Sequence, residues 1–325
     1  MSAVTLPGET ARGRGPDWRR ALRALLPAVS LALVLGAIAW INPRVISYFG
    51  FTLMLNYAVP IALATLAQMF AMTANDIDLS IGAFVGFICC VVATYLNQSA
   101  WLGALLLVAC VAGYAALGAL IHARNLPSIV VTLGMSFVWQ GLAILLLPKP
   151  GGHAPIWLQA TMSYRPPYVP LPILASLLIA AIAWFGLMRT SYGAILRGAG
   201  GNATAIARAG WSMLRAKAIL FGLAGLFGVF SGMALVGITG AADAHLGDGY
   251  TLLSIAGVIL GGGEFVGGVV SPIGAVIGAL TLTLASTQLL GFLHIPPDWQ
   301  VAANGAILVI VLAARVAISQ RGKAR

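Results

Sequence analysis

Acidic residues beside a break between two apolar segments are the first candidates for chemistry in this sequence. Asp76 and Asp78 lie in the polar stretch 73–80, together with Asn75 and Ser80. Asp and Ser side chains accept hydrogen bonds from the free N–H groups at a helix start. Three interpretations therefore stand: a helix cap that shapes a loop, a proton relay or cation site, or a contact with a solute pathway or a partner protein.

A second group of ionisable residues, Asp243, His245 and Asp248, could offer two carboxylates and an imidazole to a metal ion. These residues follow a long apolar stretch on the side expected to face outward, so a solvated external loop explains them equally well. We favour that loop and expect no metal site. Glu264 follows three glycines (261–263) in an expected inner loop, where we interpret it as a contact for a cytoplasmic partner.

The sequence lacks the motifs of common catalytic sites. Neither H-E-x-x-H nor G-x-S-x-G occurs, and none of the three lysines is followed by Ser or Thr, so there is no Walker A motif. Cys89, Cys90 and Cys110 lie in apolar runs without metal-site spacing. We therefore expect no enzyme and no cofactor in this chain; if ATP drives the protein, ATP and Mg²⁺ must bind another chain.

The composition is that of a membrane protein. Apolar residues make up 60% of the chain and charged residues 8%, with a mean hydropathy of +0.97, whereas soluble domains are typically about 25% charged. The net charge of +10 could suggest a nucleic-acid ligand. However, the positive residues cluster at the two ends and in one central loop, so we expect the lipid bilayer, and no nucleic acid, around this chain.

Ten apolar stretches approach the roughly 20 residues that a membrane-spanning helix needs. We therefore predict an all-α, polytopic bundle of about ten transmembrane helices in one transmembrane domain, residues 25–317. The stretches are 25–42, 50–72, 79–97, 101–121, 129–147, 171–188, 217–237, 250–263, 271–291 and 300–317.

The placement of lysine and arginine predicts the orientation of these helices. If the N-terminus lies inside, 15 of the 18 lysine and arginine residues lie on the inner side and three lie outside. The inner residues are five in the arm, Arg124, five in the central loop and four at the C-terminal end. Cytoplasmic loops of membrane proteins carry such an excess. We predict two cytoplasmic termini, with a basic arm (1–24), a central cytoplasmic loop (189–217) and a basic tail (318–325).

Glycine pairs at four-residue spacing predict close contacts between helices, because helices in lipid associate through small residues that let their backbones approach. A weak internal repeat involves two of these pairs, since I-G-A-x-x-G opens both the third and the ninth stretch. The three pairs are Gly82/Gly86, Gly228/Gly232 and Gly274/Gly278.

Four runs in order resemble one family, the permease subunits of ribose-, xylose- and autoinducer-2-type ABC importers. The runs cover residues 76 to 278, and Trp299–Gln300 also fits. They are Asp76–Ala83 (DIDLSIGA), Leu126–Met135 (LPSIVVTLGM), the central loop with Gly200, Gly201, Asn202, Ala205, Gly210 and Lys217, and the segment Gly249–Gly274 with its Gly-Tyr and Gly-Gly pairs.

The resemblance implies a permease dimer, homomeric or heteromeric, in the bacterial inner membrane. It also implies a cytoplasmic ATP-binding subunit, often with two fused ATPase domains, that docks on the central loop, and a periplasmic sugar-binding protein. Three departures concern partner contacts and substrate rather than the fold. Ala203–Thr204 replace acidic residues, Thr251–Leu252 replace Glu-Leu, and Val269–Val270 replace a basic residue and Gly.

A monosaccharide or similar polyol needs hydrogen-bonding groups along its path rather than buried charge. Each polar candidate could equally pair with another helix. The candidates are Asn56, Gln68, Asn75, Thr132, Gln140 and Gln288, with Asp76, Asp78 and Ser80 of the signature. The main alternative function is a secondary transporter or channel without an ATPase, which would normally need acidic residues within its spans. A lipid-modifying enzyme and a structural assembly protein are further alternatives.

Overall fold

The computed structural model describes residues 18–265 and 267–289 and five isolated positions between 299 and 309. Within these residues the fold is all-α, and the only strand-like pairing is one antiparallel bridge between Gly151 and Ala242. The all-α prediction is therefore confirmed. Most of the predicted arm, the tail and, apart from the isolated positions, the tenth stretch lie outside the described residues.

Thirteen α-helices follow one another along the described chain, and three of them (α4, α8 and α13) continue into a π-helical turn. They are α1 (Trp18–Ile41), α2 (Tyr48–Leu55), α3 (Ala58–Thr73), α4 (Ile81–Val91), α5 (Ala100–Ala123), α6 (Ser128–Leu146), α7 (Ile156–Ser163), α8 (Leu171–Trp184), α9 (Ser191–Gly201), α10 (Ala203–Arg208), α11 (Met213–Thr239), α12 (Tyr250–Leu260) and α13 (Pro272–Thr283).

Nine of the ten predicted stretches coincide with these helices. Four are long and apolar enough to cross a membrane alone: α5, α6, α11 and α8 with its π turn. The second stretch is a bent pair, α2 and α3, with 43° between the two axes. Pro60 explains the break, because it has no N–H to donate to the carbonyl of Asn56, four residues earlier. Helices α4, α12 and α13 are shorter, as is the apolar part of α1, Leu25–Ile41.

Helix α3 is the centre of the bundle, and all sixteen of its residues are buried. It packs against α11, α12 and α13, which come from the far end of the chain. Its hydroxyl groups donate along their own helix, from Thr65 to the carbonyl of Ile61 and from Thr73 to that of Met69. Polar side chains can be buried this deeply because each has a hydrogen-bond partner.

Two of the three glycine pairs mark close backbone contacts, as predicted, whereas Gly228 and Gly232 meet mainly the side chains of Phe84 and Ile88. A methyl group on Gly86 would lie 2.6 Å from the carbonyl oxygen of Ala244, and one on Gly82 would lie 2.6 Å from that of Gly247. Gly274 and Gly278 pack in the same way on Gly261 and Gly257. The two copies of the weak repeat therefore make equivalent backbone contacts. The first copy contacts the segment just before α12, and the second copy contacts the C-terminal half of α12.

Helices α4 and α12 each start deep inside the bundle and meet there by their N-terminal ends. The first turn of α4 packs on Gly228 of α11, 15 residues after Met213 and hence about 22 Å along that helix. The N–H of Gly82 donates to the hydroxyl of Thr251 over 3.0 Å, which places the first turn of α12 at the same depth. Each helix thus crosses only about half of the bundle.

Candidate functional site

The polar stretch between α3 and α4 is built around the buried carboxylate of Asp78. One carboxylate oxygen, Oδ1, accepts hydrogen bonds from the N–H and the hydroxyl of Ser80, both at 2.7 Å. The other, Oδ2, accepts from the hydroxyl of Tyr114 on α5 at 3.0 Å. Asp78 and Ser80 have no solvent exposure. The carboxylate therefore joins the start of α4 to α5.

Two neighbouring helices hold the backbone of the same stretch. The Gln68 amide of α3, oriented to satisfy both groups, donates to the Asp78 carbonyl at 2.9 Å and accepts from its N–H at 3.2 Å. The Thr132 hydroxyl of α6 accepts from the N–H of Leu79 at 3.0 Å. These contacts match the loop-shaping interpretation. The pathway roles of Asp78, Ser80 and Thr132 stay predictions.

The first residues of the stretch carry an ion pair and a link to the α12–α13 loop. Asp76 Oδ2 lies 2.7 Å from Lys217 Nζ of α11, and both side chains are largely buried. Asn75 has a positive φ of 65°, which Asn tolerates better than most residues. Its Oδ1 accepts from the N–H of Gly267 at 3.2 Å. The α3–α4 break is thus tied to α11 and to the α12–α13 loop.

The central loop folds as two short helices, α9 and α10, before α11. Asn202 caps α10, because its Oδ1 accepts from the N–H of Ala205 at 3.0 Å. Every residue of α10 except Ile206 is exposed. Gly210 then reverses the chain with a φ of +86°. This exposed helix lies where the family resemblance places the contact with an ATPase, a role that stays a prediction.

Three motifs that are far apart in sequence meet at the end of α9. A methyl group on Gly200 would overlap the carbonyl oxygen of Thr73, the last residue of α3. One on Gly268 would lie 2.5 Å from the carbonyl of Arg197, and one on Gly201 would lie 3.1 Å from that of Gly267. The central loop therefore rests directly on the end of α3 and on the α12–α13 loop.

Glu264 lies exposed in this α12–α13 loop. Its N–H donates to the carbonyl of Val269 at 2.9 Å, which closes the loop beside the end of α9. Val269 is one of the departures from the family pattern, and it takes part here through its backbone. The position suits the predicted contact with a cytoplasmic partner, which stays a prediction.

The segment 240–249 packs against α4 and does not extend away from the bundle, and its external location stays a prediction. After α11 ends at Thr239, the chain pairs with Gly151 in the α6–α7 segment and then runs back along α4. Ala244 packs on Gly86 and Gly247 on Gly82, at the first turn of α4. The physical reason is the set of glycines, which lets two backbones touch where side chains would separate them.

The returning segment brings three polar side chains together. Gln140 Nε2 of α6 lies 3.2 Å from the carbonyl of Ala244 and 3.2 Å from His245 Nδ1, and the same Nδ1 lies 3.0 Å from Asp248 Oδ2. Asp243 accepts from the N–H of His245 at 2.7 Å. Within the described residues, no three His, Cys, Asp or Glu side chains are arranged to hold a metal ion.

Sequence reasoning missed two members of these networks. Tyr114 lies within a long apolar span and shows no motif, so only the fold reveals its bond to Asp78. Thr251 was noted as a departure from the family pattern, and here its hydroxyl accepts the N–H of Gly82. Of the other candidates, the backbone of Gln288 lies in the π turn Leu284–Leu289 after α13, and its side chain lies outside the described residues.

Comparison with known proteins places these features in a family. A family model described as "Branched-chain amino acid transport system / permease component" matches residues 50–312. The chain is 30% identical over 298 residues to the "Autoinducer 2 import system permease protein LsrC" of Yersinia pseudotuberculosis, covering 89% of this chain and 82% of that protein. The LsrC protein of Photorhabdus laumondii is 27% identical over 303 residues, covering 89% and 88%. No solved structure matches the chain.

Proposed function

Since this chain belongs to the ABC-importer permease family whose model matches residues 50–312, we propose that it forms the solute path of a sugar importer in the bacterial inner membrane. The solute is a monosaccharide or similar small polyol, delivered by a periplasmic binding protein. The relatives named as autoinducer 2 import permeases support a role in solute import. ATP and Mg²⁺ bind a separate cytoplasmic subunit with two ATPase domains.

The proposed topology has ten spans and two cytoplasmic termini, and a second permease subunit completes the path. Nine helical stretches at the predicted positions support this count, as do four helices of full spanning length and one bent pair. The excess of lysine and arginine on the inner side supports the orientation. In this arrangement α9 and α10 lie on the cytoplasmic side.

The observation that carries the proposal is the contact between the central loop and the α3–α4 break. Gly200 packs on the carbonyl of Thr73, and Asp76, three residues later, is ion-paired with Lys217. A force that an ATPase applies to α10 would therefore reach α11 directly, and would reach α3 and the α12–α13 loop through α9. An element so placed can convert closure of the ATPase domains into movement of the bundle, as alternating access requires.

The test is ATP-driven uptake in proteoliposomes that contain the permease, its ATPase and its binding protein. Wild type should concentrate radiolabelled sugar only with ATP inside. Gly200→Ala should lose most uptake while ATP hydrolysis continues, because the added methyl group forces α9 away from α3. Gly198→Ala is the matched control, since its methyl group would meet only the flexible end of Ile206.

Two results would contradict the proposal. Uptake against a gradient by the permease without an ATPase would favour the secondary transporter. A Gly200→Ala variant that couples ATP hydrolysis to uptake as well as Gly198→Ala does would show that the α9–α3 contact carries no coupling.

A further inference from the structure

Ionisable side chains lie at the surface of this subunit at a depth where the membrane interior is expected. His245 contacts Gln140, which lies six residues before the end of α6 and hence about 9 Å below it. Asp248 follows Gly247, which packs on Gly82 beside the middle of α11. The hydrocarbon core is about 30 Å thick, so these groups lie within it rather than at the headgroups.

These side chains are nevertheless open in the single subunit. The side chain of His245 is 61% exposed and that of Asp248 is 57% exposed. By contrast, Asp78 at similar depth is fully buried and hydrogen-bonded. The side chains of His245 and Asp248 are therefore not part of the buried core of the single subunit.

Lipid cannot be the neighbour of this surface at low free energy. A charged Asp at the centre of a membrane-spanning helix costs about 2.5–3.5 kcal/mol on insertion scales, and such residues face a protein interior or a water-filled cavity. The turn from His245 to Gly249 is irregular backbone, and His245, Asp248 and Gly249 in it are exposed. Irregular backbone at this depth is tolerated where it is buried in protein or borders water.

We propose that the face formed by Gln140, His245 and Asp248 borders the water-filled solute passage. This inference rests on the proposed function and names the part of the chain that meets the solute. Its ligand class is a small neutral polyol, because the face offers an amide, an imidazole and a carboxylate. Together these groups can both donate to and accept from hydroxyl groups.

His245 Nδ1 can form a hydrogen bond with only one of its two neighbours at a time, so the other neighbour can bind a water molecule or a solute. His245 Nδ1 lies within hydrogen-bond distance of both Gln140 Nε2 and Asp248 Oδ2. A ring nitrogen that carries a proton can donate to Asp248, and one without a proton can accept from Gln140, but one nitrogen cannot do both. A water molecule or solute hydroxyl can therefore take the place of either neighbour.

Thiol accessibility tests the proposal without knowledge of the solute. Asp248→Cys and His245→Cys are expressed with the intact transporter in right-side-out membrane vesicles and treated with a charged, membrane-impermeant methanethiosulfonate. Labelled residues are identified by mass spectrometry, so the buried native cysteines can stay. Leu177→Cys on α8 is the matched control, because Leu177 is 63% exposed and lies about 9 Å from the outer end of its helix.

We expect the charged reagent to modify Cys at 245 and 248 about tenfold or more faster than at 177, because hydrocarbon excludes charge. Reaction only with a membrane-permeant maleimide, in inside-out as well as right-side-out vesicles, would mean a dry or lipid-facing surface and would overturn the proposal. No reaction with either reagent would mean that a protein neighbour covers the face, which overturns it as well. Labelling does not require ATP, so a failed coupling experiment and a failed labelling experiment remain distinguishable.

Discussion

The two breaks at mid-depth, residues 74–80 and 240–249, differ in how their polar groups are satisfied. In the first, Asp78 is bonded to Ser80 and Tyr114, and helices α3 and α6 hold its backbone. In the second, the backbone is held by glycine contacts with α4, while His245 and Asp248 stay at the surface. The polar side chains of the first break hold neighbouring helices together, whereas those of the second break are exposed at the surface. The comparison predicts opposite responses to substitution.

The largest effect is expected at Asp78. Asp78→Ala leaves the N–H of Ser80 without its acceptor in a buried site and leaves the Tyr114 hydroxyl only its 2.9 Å contact with the Ser80 hydroxyl, which should destabilise the protein by about 3 kcal/mol. The measurement is thermal unfolding of the purified permease in detergent. Asp78→Asn is the matched variant, because it retains one acceptor oxygen and should lose less than half as much. Equal melting temperatures for all three proteins would remove the distinction between the two breaks.

The next largest effect is expected where the breaks touch. A methyl group on Gly82 would lie 2.6 Å from both the Gly247 carbonyl and the Thr251 hydroxyl, so Gly82→Ala should destabilise by about 2 kcal/mol through overpacking. Gly134→Ala on α6 is the control, since nothing lies within 4 Å of its added methyl group. That control should be neutral or slightly stabilising in the same unfolding assay. If both variants behave alike, the backbone contact does not constrain the fold.

A smaller effect isolates the hydrogen bond between the helix starts. Thr251→Val keeps the shape of the side chain and removes the acceptor of the Gly82 N–H, which should destabilise by about 1 kcal/mol. Thr251→Ser keeps the hydroxyl and should retain most of that stability. The difference between the melting temperatures of the Val and Ser variants is the relevant measurement. A Val variant as stable as the Ser variant would show that the N–H finds another partner.

The smallest effect on stability is expected at Asp248. Its side chain is exposed, so Asp248→Asn should change the free energy of unfolding by less than about 0.5 kcal/mol. The same unfolding assay, run beside Asp78→Asn, measures this contrast directly. A loss at Asp248 as large as that at Asp78 would mean that the second break is also a structural joint.

Much of the fold could be predicted because lipid restricts it so strongly. Apolar length alone located nine helical stretches, and the glycine pairs Gly82/Gly86 and Gly274/Gly278 indicated close packing. The return of 240–249 into the bundle could not be predicted, because it depends on which distant backbone Gly247 touches. The shortness and glycine content of the eighth stretch were the available signal, since interrupted segments in transporters often lie near the binding site.

The burial of α3 has a consequence for how the protein is made. Every residue of this helix is covered, and its neighbours α11, α12 and α13 are synthesised long after it. The newly inserted helix must therefore hold Gln68 and its two threonines in lipid, or against the insertion machinery, until the C-terminal half emerges. Truncation before Met213 should consequently yield an insertion intermediate that the cell's membrane quality control degrades.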